Sequence, residues 1–166
     1  MTVASPVVDV AGWLDRYLAI ATAALDPVPG KTFIQPGGEV AWDQCDCDGQ
    51  AWSRLVGIQP IVGQIRANGL PCGVQAWELQ LAVGVLRCVH TVTDRGTFPT
   101  GPQITDDGHR FATDGANLLQ AVTCAPYTRS IIGLTPLGPL GGCAGSEVVF
   151  TVRVNPCACP DPEPVP

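Results

Sequence analysis

The stretch SIIGLTPLGPLGGCAGSEVVFTVRV, residues 130–154, decides how this chain is read. At its end Val148, Phe150, Val152 and Val154 alternate with Glu147, Val149, Thr151 and Arg153. A period of two places the first set on one face and the second on the other, as in a strand with one buried side. At its start Ile131-Ile132-Gly133-Leu134 is a second, shorter apolar run. Between them Pro136 to Gly145 is too rich in proline and glycine to be helical and carries no charge. The pattern predicts two antiparallel strands joined by a long, projecting Gly/Pro-rich hairpin loop. An uncharged loop of this kind is unfavourable in water without a partner. Pro136, Leu137, Gly138, Pro139, Leu140, Gly141 and Gly142 are therefore the expected subunit contact. On this reading, deleting Pro136 to Gly145 leaves a folded monomer that cannot assemble.

Working outward, Ser5-Pro6 reads as a helix start, with serine at the N-cap and proline in the first turn. Val10, Trp13, Leu14, Tyr17, Leu18, Ala21 and Leu25 then recur at spacings of three and four, an amphipathic helix ended by Asp26-Pro27. Lys31 to Ile58 reads as two or three strands with turns at Pro36-Gly37-Gly38 and at Asp46 to Gln50, so that Trp42 and Trp52 face each other across the second turn. Residues 60–71 read as irregular and exposed. Cys72 to His90 is the longest strand candidate; Trp77, Leu79, Leu81, Val83 and Val85 share a face, and the opposite face is small and uncharged after Gln80, which predicts cover on both sides. Thr105 is the expected cap of a second helix ending near Cys124, with Phe111, Gly115, Leu118, Leu119 and Val122 as its stripe. Gly108 and Gly115 each weaken that helix by about 1 kcal/mol relative to alanine, so it should lie flat on the sheet. The order α-β-β-β-α-β-β predicts one α+β domain over residues 1–155, two helices on a mostly antiparallel sheet, followed by a proline-rich tail, 156–166.

Composition narrows the function classes. Hydrophobic residues make up 46% of the 166-residue chain and charged residues only 14%, well below the roughly 25% of ordinary soluble domains. Surface kept for partners accounts for that deficit. The net charge is −6, and the basic residues are scattered with a single lysine, Lys31. Sequence-independent DNA binding needs clustered Lys and Arg, so that class is set aside, whereas an acidic wall suits a channel through which DNA slides. No basic-then-apolar leader opens the chain and no uncharged run reads as a membrane span, which points to synthesis in a cytoplasm.

No residue constellation points to catalysis. The pairs Cys45/Cys47 and Cys157/Cys159 supply four thiols, but one intervening residue is short of the usual two to four at structural zinc. A thiol-rich metal-binding module, disulfides and plain packed thiols all remain open for them; without a secretion signal, packed thiols are the default for the eight cysteines. Cys88 and His109 form the best nucleophile–base candidate, yet no third residue orients them. Cys88 and His90 read as strand-end packing. Asp43, Asp46, Asp48, Asp106, Asp107 and Asp114 fall in turns and helix starts, where carboxylates accept backbone N–H groups. Asp46-Cys47-Asp48-Gly49 is a fragment of a calcium loop without its later ligands. No catalytic, cofactor or metal site is assigned.

Glu39-Val-Ala-Trp-Asp-Gln-Cys-Asp-Cys47, Cys72-Gly-Val with Trp77-Glu-Leu, Gly84-Val-Leu-Arg-Cys88, Leu118-Leu119-Gln-Ala and the Pro136–Gly145 stretch before Val148-Val-Phe-Thr-Val152 together give a resemblance. The chain resembles the tail terminator and neighbouring head–tail connector proteins of long-tailed phages of actinobacteria, from about residue 39 to 155. The resemblance implies an α+β subunit of a six-membered ring that caps the tail tube and joins it to the head. Its implied partners are further copies of itself, the tail tube protein and the head-completion protein, with DNA passing through the lumen unbound. The implied location is the virion, after assembly in the host cytoplasm. A head-completion (stopper) role is the alternative within that class.

Overall fold

The computed structural model describes residues 8–38, 48–62, 74–92, 95–140 and 142–155. The expected helix start at Ser5-Pro6, Trp42 and most of the turn at Asp46, the irregular segment beyond Val62, and the tail 156–166 lie outside these residues. Helix α1 spans Val10–Ala23 and is capped by Asp9, whose carboxylate accepts the Gly12 N–H at 2.9 Å. Its apolar stripe turns Leu14, Tyr17 and Ala21 inward, and Leu25 follows just beyond its end. Strands β1 (Lys31–Ile34), β2 (Gln50–Val62) and β3 (Val74–Cys88) come next, then helix α2 (Gly101–Cys124) and strands β4 (Thr128–Leu140) and β5 (Cys143–Val154).

The sheet has the order β1-β2-β3-β5-β4. All its pairings are antiparallel except β1 with β2. The α+β class and the two-helix, mostly antiparallel arrangement follow the sequence pattern. β1 and β2 run parallel, Lys31 opposite Gln50 and Ile34 opposite Ser53, and Trp52 pairs with Phe33 and Gly84; the segment expected to precede the turn at Asp46 lies outside the described residues. Two local expectations do not hold. First, β2 continues through Pro60 to Val62 instead of ending near Ile58. Second, α2 begins at Gly101, one turn before Thr105; the Gln103 side chain accepts from the Thr100 N–H at 2.8 Å and from its hydroxyl at 3.0 Å. Gly101-Pro102 opens the first turn of that helix, where proline loses no hydrogen bond.

Both helices lie on one face of the sheet. Leu79, Leu81, Val83 and Val85 of β3 and Val148, Phe150 and Val152 of β5 form the floor of the core, and Leu14, Tyr17, Leu118 and Val122 its roof. Tyr17 stands over Phe150 with ring centroids 4.5 Å apart, and its hydroxyl shares a 2.8 Å hydrogen bond with Thr128 of β4. Burial pushes the Tyr17 hydroxyl pKa up, against the Thr128 hydrogen bond and the charge of Arg16.

The opposite face of the sheet is buried at its centre too, as the small residues of β3 predicted: Ala82 and Leu86 have no exposed surface. A single row explains the glycine between them. Trp52, Gly84 and Glu147 are opposite one another on β2, β3 and β5. The indole of Trp52 lies on Gly84, in the space a side chain there would fill. It thereby reaches over β3 and donates from Nε1 to Glu147 Oε2 at 3.1 Å. Replacing Gly84 by alanine should therefore lower the unfolding free energy by about 1–3 kcal/mol through overpacking. Urea titration of the two proteins, followed by tryptophan fluorescence, checks it; an unchanged midpoint would mean that the indole does not depend on this gap.

Candidate interaction surface

The stretch expected to be a loop is strand. β4 runs through Pro136 to Leu140, and β5 resumes at Cys143. Opposed residues include Thr135 and Glu147, Pro136 and Ser146, Leu137 and Gly145, and Leu140 and Cys143, with one irregularity between Leu137 and Leu140. Prolines fit here because β4 is an edge strand, where a missing N–H need not break a ladder. Gly142 takes φ 77° at the turn, a conformation glycine adopts without steric cost. Cys143, Ala144 and Gly145 belong to β5, a strand paired on both sides. Deleting Pro136 to Gly145 would thus remove part of the inner sheet, and a folded monomer is no longer the expected product.

The expected contact residues divide. Pro136, Leu137, Gly138 and Pro139 line one side of an open groove of about 300 Å³ whose other side is Phe111, Ala112 and Gly115 of α2. Leu140 is 57% exposed beyond it. Gly142 stands in the turn, and Gly141 lies outside the described residues. The helix comes this close because position 115 is glycine: a β-carbon there would sit 3.0 Å from Leu134 Cδ1 and 3.2 Å from Ser146 Oγ. The glycine that weakens α2 as a helix is what lets it lie flat on the hairpin.

Charged side chains fix this layout from inside. Arg87, on the helix-facing side of β3, donates from Nε to Asp114 Oδ2 at 2.6 Å and from Nη2 to the Pro27 carbonyl at 2.7 Å. Both members of the pair are almost fully buried, with side chains 4% and 3% exposed. One guanidinium thus holds α2 and the segment after α1 onto the sheet. On the other face Arg54 makes a two-pronged pair with Glu147, Nε to Oε2 at 2.8 Å and Nη2 to Oε1 at 2.6 Å. Hydrogen bonding to Glu147 raises the Arg54 pKa further, and burial opposes it. At the start of α2, Asp107 accepts the His90 backbone N–H at 2.8 Å and lies 3.1 Å from its Nδ1.

These contacts correct two readings of the residues. Asp114 serves a buried ion pair, not a turn, and Glu147 points into a covered face. Neither partner is near in sequence, so no local pattern exposes them; the glycine at 84, within the apolar run Leu81–Leu86 of β3, is the one signal that another group passes close. Cys88 ends β3, and His109 is exposed on α2. His90 lies beyond the strand and packs with Asp107 instead. Cys143 is disulfide-bonded, so the reading of the cysteines as packed thiols fails at that position. Both Cys-x-Cys pairs fall outside the described residues, among which no three of His, Cys, Asp and Glu gather in a metal-holding group. No described helix is long and apolar enough to cross a membrane. No protein-family model matches the chain, and no curated protein matches it.

Removing one member of the Arg87–Asp114 pair leaves an uncompensated charge in the interior. Asp114→Ala is expected to cost about 3–5 kcal/mol, while Arg87→Met with Asp114→Leu should recover much of that loss. Chemical denaturation of the single and double variants decides it. Equal destabilisation of both would show that the helix is held by something other than this pair.

Proposed function

We propose that this chain is a structural virion protein, a phage tail terminator whose copies form a six-membered ring that caps the tail tube and joins it to the head. The observation that carries the reading is the distal β4–β5 hairpin with its groove against α2. From Ser130 to Gly145 it has no charged residue, and it presents Leu134, Pro136, Leu137 and Pro139 beside Phe111. A surface of that composition at the margin of a sheet is suited to a protein partner. The sequence resemblance supplies the kind of partner: further copies, the tube protein and the head-completion protein. Two other features are in keeping with it. The net charge of −6 disfavours adhesion of DNA in a lumen. The disulfide at Cys143 fits a particle that leaves the reducing cytoplasm.

Native mass spectrometry of the purified chain, alone and with tail tubes, tests the reading together with proteomics of purified particles. A hexamer, free or formed on tubes, and a few copies per virion are expected. Presence in the head fraction of tailless particles would move the protein to the stopper position. Absence from virions would overturn the structural role, and one stoichiometric zinc per chain would favour a metal-binding module.

A further inference from the structure

We infer that the α2–β4 margin of one copy docks, head to tail, on the α1–β1 margin of the next copy of this chain; the inference rests on the ring reading and names the surfaces such a ring would use. Strands β4 and β1 end the sheet on opposite sides. On the β4 side Ile132 is 56% exposed and Leu134 37%. Edge strands of free-standing proteins are usually guarded by lysine or an inward charge; from Ser130 to the end of β4 there is neither. Prolines at 136 and 139 interrupt the distal half and register irregularities at Thr128/Ser130 and Ile131/Gly133 the proximal half, so what this edge offers a partner is its exposed apolar side chains and not a free ladder of backbone groups. Helix α2 extends the same surface, since Ile104, 57% exposed, and Ala112 are spaced to share a helix face.

The other margin is complementary in kind. Val28 is 61% and Ile34 38% exposed, beside a shallow groove between α1 and β1 lined by Leu18, Ala19 and Thr32. Charge selects the orientation. Arg129 is exposed on β4, a strand with no carboxylate, whereas Asp15 and Asp26 are exposed at the α1 margin. Lys31 on β1 is already engaged within its own chain. A two-fold contact of β4 with β4 would offer Arg129 no carboxylate from the facing strand and leave Val28 and Ile34 in water. Pairing unlike margins covers both and brings opposite charges to one boundary. A contact between unlike surfaces, repeated by rotation, closes a ring.

The test uses the full-length chain with a photo-crosslinking benzophenone side chain at Ile132 and, separately, at Val28, in mixtures of isotopically light and heavy protein. Mixed-isotope crosslinks from position 132 to residues 10–34, and from position 28 to residues 101–140, are expected. Crosslinks from position 132 to the β4 strand of another copy would overturn the head-to-tail arrangement. An intact hexamer giving no inter-copy crosslink from either position would overturn the inference while leaving the ring standing. A chain that stays monomeric with and without tail tubes would remove the ring and the inference together. As a second measurement, Ile132→Lys should raise the concentration for half-assembly at least tenfold with an unchanged urea midpoint. Assembly equal to that of the unsubstituted protein would count against this surface.

Discussion

The antiparallel pairing of β3 with β5 is the constraint on which the rest of the structure depends. It runs without a register shift from Trp77 opposite Val154 to Cys88 opposite Cys143. Each strand alternates, so one register places Leu81, Val83 and Val85 beside Val148, Phe150 and Val152 on the face that meets the helices. A slip by one residue would turn every one of these away from the core. The same register sets Gly84 beside Glu147 and so opens the path by which Trp52 reaches across. Both faces are thus specified by one ladder: apolar packing under the helices, and an indole and a guanidinium converging on one carboxylate on the other side.

What could be read from the sequence follows from the range of the interactions involved. The two periodicities were legible: the spacing of Leu14, Tyr17 and Ala21 in α1, and the alternation in β3 and β5, report local geometry directly. Most of the fold class follows from them. Proline and glycine misled where tertiary position overrides their usual meaning. From Pro136 to Leu140 they read as a loop, but at the sheet's edge they remain in a strand. The stretch expected to be a projecting loop is edge strand instead, and the exposed groove beside it is built by α2 and β4 together, with α2's contribution hanging on the absence of a side chain at Gly115.

The ion pairs were the least legible features and give the low charge content its meaning. Arg54 and Arg87, with Glu147 and Asp114, are consumed inside the fold. Arg16 lies over the rings of Trp13 and Tyr127, 5.0 and 4.8 Å from their centroids. Buried pairs of this kind contribute little net stability compared with apolar packing of the same volume. Their effect is positional: Arg87 admits one placement of α2 over β3, since any other would strand a charge in the core.

A chain with few charges that buries several of them has fewer still for its surface, and the shortage is not spread evenly. It shows on β4 and the adjoining face of α2, where exposed leucine, isoleucine and proline stand together, and again on distal β2 at Val56, Ile58 and Val62. Scattered apolar side chains are ordinary on any soluble protein, but a continuous margin of them is not. The internal pairs also make that margin stiff, because Arg87 ties α2 to β3 while the register of β5 ties down β4. A preorganised apolar edge loses little conformational freedom when it is covered. The same buried charges that fix the fold therefore prepare the surface to which the proposed subunit contact is assigned.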